Sequence, residues 1–287
     1  MSQASGVVIV DKEPGITSHQ VVGRLRRLLG TKKIGHAGTL DPMATGVLIL
    51  GVNRATRLLG HLALHDKRYL ATVRLGASSD TDDADGEVVR GAVASAVSGE
   101  ALERALEPLR GDILQVPSTV SAVKIGGKRA YALARAGERV ELKPRPVTVT
   151  RLDVVSTRVV DDYLDVDLDV ECSSGTYIRA IARDLGDTLG VGGHLTSLRR
   201  TRIGNYRIEE AIKLGDDPPP LMSMAVAARL SFPVVELDAA EATDVGYGRP
   251  LARDVPAAPT GMLGVDGALL ALYEPAEQGS KPLAVLV

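Results

Sequence analysis

The stretch "LDVDLDVEC", residues 164–172, alternates without error: Leu164, Val166, Leu168, Val170 and Cys172 share one face, and Asp165, Asp167, Asp169 and Glu171 the other. A period of two belongs to a strand, and a clean split into apolar and acidic faces predicts an antiparallel strand with one face in the core and one in water. A strand of a parallel sheet would read as a continuous apolar run, so this stretch argues against strict βαβ alternation. Cys172, on the apolar face, reads as an inert core thiol.

Working outward, residues 68–75 read as a strand and 99–110 as a helix. "SSDTDDADGE", 78–87, reads as a solvated acidic turn. "IRAIARDLGDTLG", 178–190, predicts a helix ending at Gly190. Near the N-terminus, Val7–Val10 predicts a short buried strand. "TSHQVVGRLRRLLG", 17–30, predicts a helix capped by Thr17 or Ser18, striped by Val21, Val22, Leu25, Leu28 and Leu29, and stopped by Gly30. Val47–Leu50 reads as a buried strand and 54–64 as helical. "DDPPPL", 216–221, reads as a linker. Beyond it, short apolar runs near 234–237, 262–265, 268–273 and 283–287 suggest a small β-rich terminal domain. The fold class expected is α+β, with a mixed or antiparallel sheet and flanking helices.

The chain has 287 residues, 45 % apolar and 24 % charged, which suits a globular fold of one large and one small domain. One Phe, no Trp and seven Tyr leave the core to Leu, Val, Ile and Ala. A single cysteine excludes an internal disulfide and suits a reducing cytoplasm. The N-terminal apolar run, Val7–Val10, is too short for a signal-peptide core, and no run approaches a membrane span. A net charge of −2 means that any polyanion must be met by local patches.

Such patches exist. Residues 124–151 hold eight Lys or Arg against two Glu, and "LRRTRIG", 198–204, adds Arg199, Arg200 and Arg202. Residues 14–40 carry Arg24, Arg26, Arg27, Lys32 and Lys33 with no acid. Segregated cations in a weakly acidic chain point to nucleic acid. The basic run leads to "GHAGTLDPMATGVLIL", 35–50, whose one carboxylate is Asp41. Pro42 biases Asp41 toward extended backbone, and Gly35, Gly38 and Gly46 permit close approach of a backbone or ligand. Nearby cations would keep the carboxylate ionised, which suits attack on, or stabilisation of, a sugar or base whose phosphates are held by those cations. His61 and His65 have a zinc-ligand spacing but lack the glutamate of HExxH and a third ligand, so they read as a surface pair. Phosphate-loop and dinucleotide patterns are missing. A nucleoside glycosidase would need a second acid across the sugar, and none is evident.

"GHAGTLDPMATGVL" resembles the catalytic motif of the bacterial tRNA pseudouridine-55 synthases, the TruB family. So do, in the family's order, "GVVIVDKEPGITSHQVV", "DKRYLATVRLGASSDTDDADG", "VPSTVSAVKIGGKRAYALARAG", "CSSGTYIRAIARDLG" and "GGHLTSLRRTRIG", which together span about 6–210. The resemblance implies a pseudouridine synthase core over 1–215, with a basic RNA-gripping insertion near 124–151. It also implies a small RNA-binding, PUA-like domain over 225–287. It implies isomerisation of one uridine in the tRNA T loop, with the base flipped out, cut from C1′ and rejoined through C5. No cofactor and no metal are implied, and tRNA is the expected partner of a cytoplasmic monomer.

By the same resemblance Asp41, Tyr69 and Arg179 are catalytic: the nucleophile, the tyrosine against the base that takes the C5 proton, and the arginine pairing with the aspartate. His36, Tyr177, Leu198 and Lys12 join Tyr69 as substrate-binding residues, His36 filling the gap left by the flipped nucleotide. Lys124, Lys128, Arg129, Arg135, Arg199 and Arg200 are expected on RNA backbone. The alternative is a tRNA-binding or tRNA-folding protein without turnover.

Overall fold

The computed structural model describes residues 4–119, 124–125, 128–129 and 142–287. In chain order it runs β1 (Gly6–Lys12), α1 (Ser18–Leu29), β2 (Ile34–Ala37), β3 (Thr45–Val52), β4 (Lys67–Leu75), α2 (Gly99–Leu106), β5 (Gly111–Gln115), β6 (Arg145–Val160), β7 (Tyr163–Cys172), α3 (Ile178–Thr188) and β8 (Gly193–Ile203). The C-terminal part adds α4 (Met224–Ser231), β9 (Val234–Glu236), α5 (Ala239–Gly246), β10 (Thr260–Leu263), β11 (Leu269–Pro275) and β12 (Ser280–Val285). The class is α+β, as the alternation of 164–172 predicts. Two compact units are formed, one from 1–65 with 202–287 and the other from 66–201.

In the first unit β3 pairs antiparallel with both β1 and β2. Helix α1 follows its sequence signals. Thr17 caps it in a reciprocal box with Gln20, and Gly30 ends it at φ 61°. Val21, Val22 and Leu25 are buried, while Leu28 and Leu29 at the frayed end are half-buried. Residues 53–58 form a 3₁₀ turn that runs into a single α turn at Leu59–Leu62, rather than one continuous helix. The C-terminal sheet has the order β9-β10-β11-β12, with β9 parallel to β10 and the rest antiparallel. Its core is continuous with that of the N-terminal strands: Val7, Ile9, Ile49 and Leu58 pack with Ala227, Phe232, Leu263, Leu272 and Leu286. The exposed "DDPPPL" stretch spans two dockings on the edge of β1, where Ile212 bonds to Ile9 and Asp11, and Met222 to Val7.

In the second unit the strand order is β8-β4-β7-β6-β5. The apolar face of β7 lies in the core: Leu164, Val166, Leu168, Val170 and Cys172 are all buried. The acidic face is not wet. Asp165 and Asp169 are only 4 % and 6 % exposed. Asp165 lies in register with Arg74 on β4 and Arg158 on β6 and is bonded by both. Asp167 accepts from Thr72 and Ser156, 2.7 Å each. Asp169 takes Arg68 in a two-point fork and Arg151 at 3.0 Å. The arginine stems roof the face while their head groups stay half in water. The expectation of a solvated acidic face is thus corrected to a three-strand ladder of ion pairs.

Bonds from Arg74 and from Arg68 hold the Asp165 and Asp169 carboxyls below the usual carboxylate range. A carboxyl depressed in the folded chain adds stability above the unfolded pKa of about 4 and loses it as pH falls through the folded value. Asp165→Asn is therefore expected to be less stable than the parent at pH 7, with a shallower loss of stability below about pH 4. Urea unfolding at both pH values measures this, and identical acid sensitivity of parent and variant would contradict it.

Candidate active site

Asp41 is half-buried in the loop between β2 and β3 of the first unit. That loop leaves β2 through Gly38 at φ 79° and enters β3 through Gly46 at φ 100°, values that a side chain resists. Between them the backbone is pinned on both sides of Asp41. Upstream, the buried Ser18 hydroxyl donates to Leu40 C=O at 3.0 Å and accepts from Leu40 N–H at 2.9 Å. Downstream, Pro42 C=O accepts from Lys12 Nζ at 3.1 Å and from Gly15 N–H at 2.8 Å. Ala44 N–H closes a turn onto Asp41 C=O at 3.1 Å.

Lys12 is 1 % exposed and also donates to Glu13 and Ile16 carbonyls at 2.8 and 2.7 Å. Three N–H donors therefore meet three carbonyls. In the structure Lys12 is a strut of the Asp41 loop. The basic run of α1 is also spread out rather than gathered at Asp41. Arg24 bonds Gly215 C=O, and Arg26 bonds Ile34 C=O. Gly35 leaves room for Leu59, whose Cδ1 would lie 2.9 Å from an added Cβ. His36 is half-buried on β2, opposite Leu50.

The second unit holds Tyr69, Tyr177, Arg179 and Leu198. Tyr69 is 6 % exposed on the inner face of β4, opposite Val170. Leu198 is buried on β8. The hydroxyls of Thr196 and Thr201 bond to Thr72 C=O and Arg68 C=O, which sets Leu198 alongside the Tyr69 stretch of β4. Tyr177 is extended (φ −104°, ψ 108°), and α3 begins at Ile178, so Arg179 lies in the first helical turn.

Arg179, 5 % exposed, bonds Thr81 C=O at 2.9 Å and forms an ion pair with Asp83 at 3.2 Å. Asp83 is 3 % exposed, and its neighbour Asp82, at φ 60°, pairs with Arg183 at 3.0 Å. Burial pushes the Asp82 carboxyl up, against the pull of Arg183. The "solvated turn" of 78–87 is thus corrected in its middle, where two acids are buried anchors of α3. The signal that could have found them was the Arg179–Arg183 spacing of one helical turn, facing a pair of adjacent acids.

Of the residues expected on RNA backbone, Arg199 is half-buried, whereas Arg200 is 1 % exposed. A guanidinium so enclosed does not meet an outside phosphate, so Arg200 is removed from that set. Beside it, burial and then the Arg200 charge lower Lys67 to about 8. Lys124–Ile125 pairs with Lys128–Arg129 as a short hairpin, and Arg135 lies outside the described residues. Burial pushes the Cys172 thiol up to about 11, as suits an inert thiol. His61 and His65 are half-buried against the Phe232 ring, His65 stacked at 5.8 Å, instead of a bare surface pair. Among the described residues no group of three His, Cys, Asp or Glu is set to hold a metal, and no helix is long and apolar enough to cross a membrane.

Three family models match the chain in order. They are the TruB family pseudouridylate synthase N-terminal domain over 26–178, the tRNA pseudouridylate synthase B C-terminal domain over 179–216, and the tRNA pseudouridine synthase II C-terminal domain over 232–287. A tRNA pseudouridine synthase B of Cutibacterium acnes is 55 % identical, over 99 % of this chain and 98 % of that protein. Proteins of the same description from a Mycobacterium species (strain KMS) and from Rhodococcus jostii are each 53 % identical, the alignments covering 98 % and 99 % of this chain and 96 % and 93 % of those proteins. Among solved structures, a chain of an H/ACA ribonucleoprotein bound to a substrate RNA containing 2′-deoxyuridine superposes with a TM-score of 0.73 at 23 % identity, over 98 % of this chain and 85 % of that one. A chain of a Cbf5–Nop10–Gar1 complex matches with the same score at 24 % identity, over 98 % of this chain and 85 % of that one.

Proposed function

The chain belongs to the TruB family and is a tRNA pseudouridine synthase, an isomerase, and from that premise we propose that its substrate is uridine-55 of the tRNA T loop. The observation that carries the reading is the placement of Asp41: a lone carboxylate on a loop whose backbone is clamped on either side by Ser18 and Lys12. A reacting group needs such preorganisation, because misplacement by an ångström costs rate. In this reading the target base is flipped out of the folded loop and read by stacking and edge contacts. Asp41 carries the covalent chemistry that breaks the C1′–N1 bond. The freed base turns and rejoins through C5, and Tyr69 takes the C5 proton. Arg179 takes the role of the family's catalytic arginine; its guanidinium is always charged, planar and already oriented by Asp83 and Thr81. Tyr177 and Leu198 line the uracil pocket, and His36 takes the space of the flipped nucleotide. Incubation with a T-arm RNA followed by carbodiimide modification and primer extension, which map pseudouridine to a position, tests the reading. Pseudouridine at position 55 supports it, and binding without product favours a tRNA-binding protein.

Catalysis is assigned to 1–215 and RNA contact also to 225–287, an assignment supported by the family models changing between 216 and 232. The C-terminal segment 225–287 has eight acids and four cations. All four cations are ion-paired: Arg229 with Glu236, Arg249 with Asp244, Arg253 with Glu241 and Lys281 with Glu274. Contact there is not led by phosphate attraction, and the electrostatic grip is assigned to 124–151. Replacing Lys124, Lys128, Arg129 and Arg135 together by alanine is expected to weaken tRNA binding and to flatten its log–log salt dependence by roughly one unit per lost phosphate contact. Filter binding across a salt series measures both, and an unaltered slope would remove the grip from this segment.

A further inference from the structure

Strand β5 ends at Gln115, a residue 3 % exposed whose side chain turns out of the sheet toward the start of α3. Its Oε1 accepts from Tyr177 N–H at 2.8 Å, and its Nε2 donates to Tyr177 C=O at 3.1 Å. The carboxamide pairs with a single residue 62 positions away as a neighbouring strand would.

Tyr177 needs this partner. It is the N-cap residue of α3, and no side chain caps that helix locally. The N–H groups at a helix start have no acceptor within the helix, and leaving one unpaired in a half-buried turn is destabilising. Tyr177 C=O already accepts the first helical bond, from Ile181 N–H at 3.3 Å, and Gln115 uses its second lone pair. One helical turn on, Arg183 Nη2 donates to Val116 C=O at 2.8 Å. The end of β5 is therefore tied to α3 at both its first and second turns. Sliding the helix start by one residue would swing each side chain by about 100°, so this tie decides where Tyr177 and Arg179 project.

We propose that Gln115 is a positioning residue of the uridine pocket, acting through the backbone of Tyr177 to set the Tyr177 ring and the register from which Arg179 projects. The proposal rests on the reading of Tyr177 as a pocket residue. Only a carboxamide of this length meets both needs without charge: Asn is one carbon short, Leu has no polar atom, and ionised Glu has no donor.

The test uses the full chain with a T-arm RNA and reads three quantities for each variant: the single-turnover rate of pseudouridine formation at saturating enzyme, the RNA Kd, and the thermal midpoint. Gln115→Leu is expected to slow the single turnover by roughly tenfold with Kd within about threefold of the parent. A loss of folded protein alone would lower binding-competent enzyme and leave the saturated rate untouched. In a double-mutant cycle, Gln115→Leu is expected to slow the Tyr177→Ala enzyme by a smaller factor than it slows the parent, the remainder acting through the register of Arg179. Gln115→Glu supplies a second test should the leucine variant not fold. Its carboxyl regains a donor when protonated, so its rate relative to the parent is expected to rise as pH falls. A Gln115→Leu rate at the parent level beside a slow Tyr177→Ala overturns the positioning role and leaves the pocket reading standing. Multiplying effects in the cycle, or a pH-independent ratio for Gln115→Glu, also overturn it. A Tyr177→Ala enzyme at the parent rate withdraws the pocket reading and the proposal together.

Discussion

Asp41→Asn is expected to lower turnover by at least about 10³-fold while tRNA affinity stays within roughly threefold of the parent. The variant is clean for a structural reason. The loop is held by backbone groups of its neighbours: Leu40 by the Ser18 hydroxyl and Pro42 by Lys12 and Gly15. The bonds from Ser18, Lys12 and Gly15 do not use the Asp41 side chain, and asparagine has the same shape. What is lost is the negative charge and, in the proposed mechanism, the nucleophilic oxygen. A covalent step that loses its essential group does not slow by a small factor, because no other acid is positioned on this loop to replace it. Single-turnover formation of pseudouridine beside filter binding of the same RNA decides the matter. Retention of about a tenth of the parent rate would show that Asp41 is not the reacting carboxylate.

Tyr69→Phe is expected to cost about 10²-fold in the same single-turnover measurement, again with near-normal RNA binding. Rejoining the base through C5 leaves a proton on that carbon, and uracil does not shed it quickly at neutral pH, so a placed base matters. Phenylalanine keeps the ring and its stacking, worth roughly 1–3 kcal/mol per base, and deletes only the hydroxyl. Tyr69 is 6 % exposed on the inner face of β4, opposite Val170, so the ring has little freedom to move when the hydroxyl goes. A phenol is a weak base and needs help from neighbouring charge or from a water. If the variant runs within about threefold of the parent, the hydroxyl is not the base and Tyr69 is a stacking platform. If RNA binding collapses too, the hydroxyl was holding the pocket together.

Much of the architecture was legible from short-range pattern. The error-free alternation of 164–172 predicted β7 and its buried face, and Thr17 and Gly30 marked both ends of α1. These features depend on residues within a few positions of one another, through side-chain period and the capping of local N–H and C=O groups. The same holds for the Asp41 loop, where a lone acid, Pro42 and glycines at φ 79° and 100° all lie inside one motif.

What the sequence by itself determined, then, is the period, the element ends and the presence of one singular carboxylate. The fate of many other charges among the described residues was decided by tertiary structure. Asp165 and Asp169 read as wet because their arginine partners on β4 are 91 and 101 residues away. Asp82 and Asp83 read as a solvated turn because Arg183 and Arg179 come from a helix about as distant. Arg200 read as a ligand for an outside phosphate, yet it is 1 % exposed. Gln115 carried no signal at all, since its partner is a backbone 62 residues on. Local periodicity records which face of an element is apolar. Whether a polar side chain is paired or solvated depends on which distant element packs over it, and only the folded chain makes that choice.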